Sequence, residues 1–283
     1  MSNYLFTHGH DVEGWEFIDN AVPDPSSYDW VIHLGAITST TYTDVDKILE
    51  QNFEYSMRLL QVCETYGTNF QYASSASVYG PTTHFTEDGS LLPQSPYAWS
   101  KYLFDRFVTQ HKDDFNVLVQ GFRYFNVYGP GENEKGDQAS PFTKFTKQAQ
   151  EDGIIKVFQL SEHYKRDFVC VEDICKVHEK MLTVDASDIY NVGTGVAESF
   201  ETVAQAIAKK HDAKIVYIPI PENIKNQYQK YTCANLDKLN SVIDMAVSYT
   251  HLRAHETPEH RVIRVILEKK NRGGGGGGGG GGG

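Results

Sequence analysis

From residue 29 onward the chain switches regularly between two hydrophobic periods. DWVIHLGAI (residues 29–37) is apolar and branched through its centre and predicts a buried strand. DKILEQNFEYSMRLLQVCETYG (46–67) carries apolar residues at helical spacing and ends on Gly67, a C-cap residue. NFQYASSASVYG (69–80) predicts a second strand running into a loop. SPYAWSKYLFDRFVTQHKDDF (95–115) predicts a helix with Ser95 as N-cap and Pro96 at its first position. NVLVQGFRYFNVYGP (116–130) predicts a third strand, stopped by Gly129-Pro130. Strand, helix, strand, helix, strand at this spacing implies right-handed crossovers and a parallel sheet, with helices on both faces as in a doubly wound α/β fold.

Past residue 140 the units shorten. Helices are predicted over 140–153, 171–184 and 199–212, the last capped by Ser199, and strands over 154–160, 188–195 and 214–221. This half reads as remaining sheet elements plus a small lobe over the carboxyl ends of the strands, where ligands bind in such folds. The division predicted is 1–140, a partial dinucleotide-binding domain; 141–246, further sheet elements and a substrate lobe; and 247–283, a tail of another kind.

Composition narrows the function classes. A formal charge of -11 and a pI near 5.4 argue against a nucleic-acid surface. No apolar run is long enough to span a bilayer, and no signal pattern opens the chain. Cys63, Cys170, Cys175 and Cys233 form no C-x-x-C pair, so reduced thiols and a cytoplasmic location are expected. His8 and His10 have no third partner in the sequence, and no metal site is expected.

The chemistry centres on Tyr97 and Lys101, which stand four residues apart and so share a helix face. A phenol titrates near 10 and is a poor base at neutral pH. A cation roughly 4–5 Å away, at an effective dielectric of about 20, contributes about 3–4 kcal/mol toward the phenolate and brings a tyrosine within reach of acid/base work. Alone, such a pair is more often a core tyrosine and a solvated lysine. It is not alone: Ser74, Ser75 and Ser77 lie at the carboxyl end of the preceding strand, and Asn126 at the end of the next.

The ordered set HLGA, YASSASVYG, YAWSK, FRYFNVYGP, KRDFVCVED and NVGTG resembles the extended short-chain dehydrogenase/reductase family of nucleotide-sugar epimerases and dehydratases, over about residues 29 to 244. The resemblance implies a Rossmann-type fold and a bound nicotinamide dinucleotide. Leu34, Gly35, Ala36, Asn52, Tyr97, Lys101 and Val127 would stand beside it. Tyr97 would be the acid/base, Lys101 would hold the nicotinamide ribose, and Ser75 would steady the reacting oxygen. Dehydratases carry an acidic pair after the strand serine; Ser75-Ala76-Ser77 has none, which disfavours elimination.

FRYFNVYGPGENEKGDQASPF and YKRDFVCVEDI are more closely similar to the ADP-L-glycero-D-manno-heptose 6-epimerase branch. That similarity implies NADP as cofactor, an ADP-heptose as substrate, Lys135 as a second acid/base opposite Tyr97, and a homo-oligomer. By the same match Asn126, Lys144, Phe158, Ser161, Arg166 and Tyr228 would line the substrate site, with Arg166 a bidentate partner for the diphosphate. The chain departs from the pattern at Asp137, where serine is usual, at Lys144, where histidine is, and at Leu34, where glutamate is common. The alternatives are another nucleotide-sugar epimerase, such as a UDP-hexose 4-epimerase, which needs one tyrosine only, or an inactive chain holding no cofactor.

Both ends stand apart from this pattern. Residues 1–28 contain no G-x-x-G-x-x-G, so the first βαβ unit is expected to be missing and NADP binding to be weak. VSYTHLRAHET, from residue 247, is the in-frame translation of a common sequencing-library adapter, and an unbroken glycine run fills 273–283. Residues 247–283 are therefore expected to be non-biological.

Overall fold

The computed structural model describes residues 1–17, 21–39, 42–221, 229–244 and the backbone of 264–269. Along the chain lie α1 (Ser2–Thr7), β1 (Val12–Glu16), β2 (Tyr28–His33), α2 (Val45–Ile48), α3 (Tyr55–Tyr66), β3 (Asn69–Ser75), α4 (Pro96–His111), β4 (Val119–Tyr124) and β5 (Asn126–Tyr128). Then follow α5 (Pro141–Asp152), β6 (Ile154–Phe158), β7 (Lys165–Cys170), α6 (Val171–Met181), β8 (Asp188–Val192), β9 (Ala197–Ser199), α7 (Phe200–His211), β10 (Lys214–Ile218), α8 (Asp237–Val242) and β11 (Arg264–Lys269).

The main sheet runs β1-β11-β2-β3-β4-β8. Its β2-β3-β4-β8 part is wholly parallel, in register Trp30↔Asn69, Ser75↔Tyr124 and Tyr124↔Val192 at representative pairs. This is the α/β, Rossmann-like architecture that the alternating pattern implies. Several short elements escaped the sequence reading: α1, β1, β7, β9, α8 and β11. Of these, α1 commits one side chain to the core, Leu5, which packs on Ile32 of β2. The sheet is also not parallel throughout, because β11 lies antiparallel to both β1 and β2.

Side-chain alternation divides the sheet's two faces. Phe70 and Tyr72 of β3 and Val119 of β4 pack with Leu59, Leu60, Phe104 and Val108 of α3 and α4. Phe122 of β4 and Tyr190 and Val192 of β8 pack with Ile174, Val177 and Met181 of α6. Each such fully buried side chain contributes about 1.5–3 kcal/mol. The helix signals read from sequence are present: Ser95 Oγ accepts from the Ala98 amide at 3.2 Å, Ser199 Oγ from the Thr202 amide at 2.9 Å, and Gly67 ends α3 at a φ of 69°.

The later elements make two smaller layers. β6 and β10 pair in parallel, with α5 and α7 closing an apolar cluster around Ile155, Val157, Phe142 and Val203. β5, β7 and β9 form a three-stranded ribbon at the carboxyl end of the main sheet. Among the described residues no helix is long and apolar enough to cross a membrane.

Candidate active site

The site forms where β3 ends and α4 begins. Ser75 is the last residue of β3, and its hydroxyl accepts from the Ser77 amide at 3.2 Å. Tyr97 sits in the first turn of α4 and shares a hydrogen bond with Ser75. Lys101, one turn on, is buried, and its Nζ donates to the Ala73 carbonyl at 2.8 Å. Ser75, Tyr97 and Lys101 are thus gathered as the sequence pattern implied.

The electrostatics differ from the simple pair argument. Burial pushes the Tyr97 hydroxyl above its usual value; the Ser75 hydrogen bond opposes this and Asp105 adds to it. Burial also pushes Lys101 down to about 8, against the pull of Asp105. The ammonium expected to draw Tyr97 toward the phenolate instead donates to the Ala73 carbonyl, and burial outweighs any such pull on the phenol.

Asn52 stands behind them, fully buried in a π-helical turn, Leu49–Glu54, that joins α2 to α3. Its Oδ1 accepts from the Ile37 amide at 2.8 Å, and its Nδ2 donates to the Ile37 carbonyl and Ser100 Oγ, each at 3.0 Å. A π-turn often marks a functional position. Here it lets one amide tie the loop after β2, which carries Leu34, Gly35 and Ala36, to the helix bearing Tyr97. Leu34 packs toward Ile32 and Leu5. Val127 of β5 packs beside Val169 and Ile174.

The other predicted residues are dispersed over the lobe. Lys135 is half exposed, and among the described residues its Nζ lies 3.9 Å from Glu132 Oε1. Glu132 is buried and holds its own loop, accepting from the Ser140 amide and hydroxyl and from Thr143 Oγ1. Asn126 is exposed and accepts from Thr232 Oγ1 at 3.4 Å. Lys144 lies on the exposed side of α5, and Phe158 closes β6. Ser161 is buried and donates to Glu201 Oε2 at 2.6 Å. Arg166 is mostly buried; it donates to the Lys165 and Gln229 carbonyls and lies over the Phe200 ring. Tyr228 lies outside the described residues.

Three residues that sequence reasoning did not single out matter here. Asp105 and Arg123 form a buried ion pair beneath Lys101. Asp167, in KRDF, accepts from the amides of Thr194, Gly195 and Ala234 at 2.7–3.0 Å and so pins NVGTG to the segment beyond residue 229. Only the sheet register and the turn around NVGTG reveal them, since each reads as a surface charge in the sequence. Ser77 Oγ is buried and has no partner among the described residues, a hydroxyl left for a ligand beside Ser75 and Tyr97. Those groups fit the nicotinamide and ribose end of a dinucleotide. No glycine-rich strand-to-helix turn that would hold its pyrophosphate occurs among the described residues before β2. Nor do the described residues hold a cluster of three metal ligands.

Ser75 at the end of β3 and Tyr97 and Lys101 on α4 thus meet at the carboxyl edge of a parallel α/β sheet, where ligands bind in such folds. The comparisons place the chain further. Residues 6–193 match the NAD dependent epimerase/dehydratase family, and the chain belongs to that family. Among solved structures it is similar to the ADP-L-glycero-D-manno-heptose-6-epimerase of Helicobacter pylori, with 29% identity and a TM-score of 0.71, covering 79% of this chain and 68% of that one. The UDP-glucose 4-epimerase of Thermotoga maritima follows the same fold, with 23% identity and a TM-score of 0.67, covering 75% and 70%. So does RMD from Pseudomonas aeruginosa, solved with NADPH, with 23% identity and a TM-score of 0.66, covering 77% and 75%.

Proposed function

We propose that the chain epimerises ADP-D-glycero-D-manno-heptose to ADP-L-glycero-D-manno-heptose, using NADP, as an enzyme of the cytoplasm. The observation that carries this reading is the likeness to the Helicobacter pylori heptose epimerase, the one reported relative above 25% identity, together with a lysine in the GENEKGDQ loop. A dinucleotide bound beside Lys101 and Ser77 would accept a hydride from the sugar 6-position and return it to the other face. Ser75 orients the 6-oxygen, Tyr97 exchanges its proton on one face, and Lys135 exchanges it on the other. Arg166 offers a guanidinium to the diphosphate once the Gln229 carbonyl is released.

One observation favours a second reading. Lys135 is half exposed and faces Glu132, whereas Tyr97 is built into a buried network. A UDP-hexose 4-epimerase, with one acid/base, needs no more than that. The test is to incubate the chain with NADP and ADP-D-glycero-D-manno-heptose and follow the 6-epimer by proton NMR, with UDP-glucose in parallel. The heptose reading expects conversion of the ADP-sugar alone, abolished by Lys135→Met. Conversion of UDP-glucose alone, indifferent to Lys135→Met, gives the second reading.

A further inference from the structure

Asp105 lies on α4 one turn after Lys101 and is fully buried. One carboxylate oxygen accepts from Tyr72 OH at 3.0 Å; the other accepts from Ser74 Oγ at 2.9 Å and Arg123 Nε at 2.8 Å. Arg123, also buried, donates Nη1 to Tyr79 OH at 3.1 Å and the Glu87 carbonyl at 3.2 Å, and its guanidinium lies over the Tyr79 ring. Tyr79 OH donates to Asn191 Oδ1 at 2.7 Å, and the Asn191 amide donates to Glu87 Oε1 at 2.7 Å. One bonded chain therefore runs from the catalytic helix through β3 and β4 to β8. Gly121 of β4 makes room for it: a Cβ there would meet Tyr72 OH at 2.4 Å.

A fully buried ion pair is weak evidence for stability, since apolar residues of the same volume often do as well. What this pair has that an apolar pair lacks is position and charge. Ser74, bonded to Asp105, precedes Ser75, and Ala73, whose carbonyl takes the Lys101 ammonium, precedes Ser74. The strand end that presents the reacting serine is thus tied to α4 at two successive residues, Ala73 and Ser74. We propose that the Asp105–Arg123 pair is a positioning device for the Tyr97–Lys101 wall: it locks the end of β3 to α4, beside the strand residues that hold Lys101 and present Ser75. Asp105 and Arg123 touch neither substrate nor cofactor in this scheme. The inference rests on the proposed function only in taking Tyr97 and Lys101 as the reacting end.

The charges around the site agree. Burial drives Lys101 down to about 8 and Asp105 opposes it. Asp105 also raises Tyr97 and Tyr72. From the other elements the facing groups are His33 of β2, which feels Lys101; Arg123 of β4; Tyr79 and Glu87 of the loop after β3; and Asp188 of β8, which acts on Tyr72.

The experiment is a pH titration of the Lys101 ε-carbon by NMR in the full chain labelled with 13C-lysine, assigned with Lys101→Arg. Asp105→Asn removes the negative charge and moves the midpoint down by about one pH unit; Arg123→Gln removes the positive charge and moves it up. Both lower the melting temperature, so a merely structural brace moves the midpoint the same way in both, or not at all, and that result overturns the proposal. Should Arg123→Gln fail to fold, Arg123→Lys and Ser74→Ala replace it. Both keep the charges and leave the midpoint in place; a shift in them as large as that of Asp105→Asn overturns the proposal equally. The titration needs no turnover. Opposite shifts without any epimerase activity retire the proposed function and keep this inference; normal epimerisation with unmoved midpoints does the reverse.

Discussion

Tyr97 and Lys135, the two candidate acid/bases, stand in opposite physical settings. Tyr97 belongs to a wall of bonded polar groups: half-buried Ser75 and, buried, Lys101, Asn52 and the Asp105–Arg123 pair. Lys135 stands on a short loop, half exposed, beside one carboxylate nearly 4 Å away. The first setting fixes geometry in advance, and burial moves its titrations. The second leaves the ammonium close to water, where an ion pair contributes about 0–1 kcal/mol. A site that exchanges protons on two faces would combine a buried acid/base with an exposed one; a site that uses a single face needs only the wall.

The largest expected effect comes from removing the acid/base of the rigid side. Tyr97→Phe keeps the ring and removes the hydroxyl that meets Ser75. Turnover should fall about 10²–10⁴-fold, with the melting temperature little changed. Steady-state rates and calorimetry on the same preparation check this. Turnover within a factor of a few of the parent would remove Tyr97 from the chemistry.

Next comes the stability of the wall itself. Asp105→Ala leaves Arg123 buried without its carboxylate and should destabilise the fold by about 3–5 kcal/mol, read by urea unfolding. Lys135→Met, the same measurement on the exposed side, should change stability by about 1 kcal/mol or less. Equal losses would erase the contrast between the two settings.

A third effect separates the two sides by pH. His33, behind Lys101, and His178, on α6, are both buried, and burial holds each down to about 3. The folded chain therefore keeps them neutral, while the unfolded chain takes up protons near 6.5. Their contribution is complete above about pH 6.5 and is lost as pH falls from there toward 3, by up to about 1.4 kcal/mol per pH unit for each histidine. Urea unfolding at pH 7, 6, 5 and 4 should show this slope, reduced in His33→Gln. A flat profile across that range would mean the histidines charge without unfolding the wall.

The wall was legible in sequence to a useful depth, and the reasons are local. Helical spacing placed Tyr97 and Lys101 on one face, strand ends placed Ser75 and Asn126 at one edge, and Ser95 and Pro96 marked where α4 starts. The Asp105–Arg123 pair was not legible, because each residue reads as a surface charge until the sheet register sets Arg123 beneath α4. The direction of the Tyr97 shift was missed for a related reason: spacing predicts a neighbour, but burial and the Ala73 carbonyl decide what that neighbour does. Elements α1 and β1 were missed because they are too short for periodicity, and antiparallel β11 because it falls within 247–283, which the sequence pattern sets apart as a tail. The exposed side was less legible, because the spacing of GENEKGDQ reads alike for a working lysine and for a solvated one.

The smallest expected structural effect is therefore the most discriminating. Lys135→Met should leave the melting temperature and the Lys101 titration where they are, because Glu132, its charged neighbour among the described residues, is already held by Ser140 and Thr143. If Lys135 serves the second face, the same variant should still lose about 10²–10⁴ in epimerisation. A 6-aldehyde analogue of the heptose divides the reaction further: Tyr97→Phe and Lys135→Met should each lose a different half of its disproportionation. A variant that folds, titrates and turns over as the parent does would leave Lys135 a loop charge, and the single-tyrosine reading would stand in place of the two-base one.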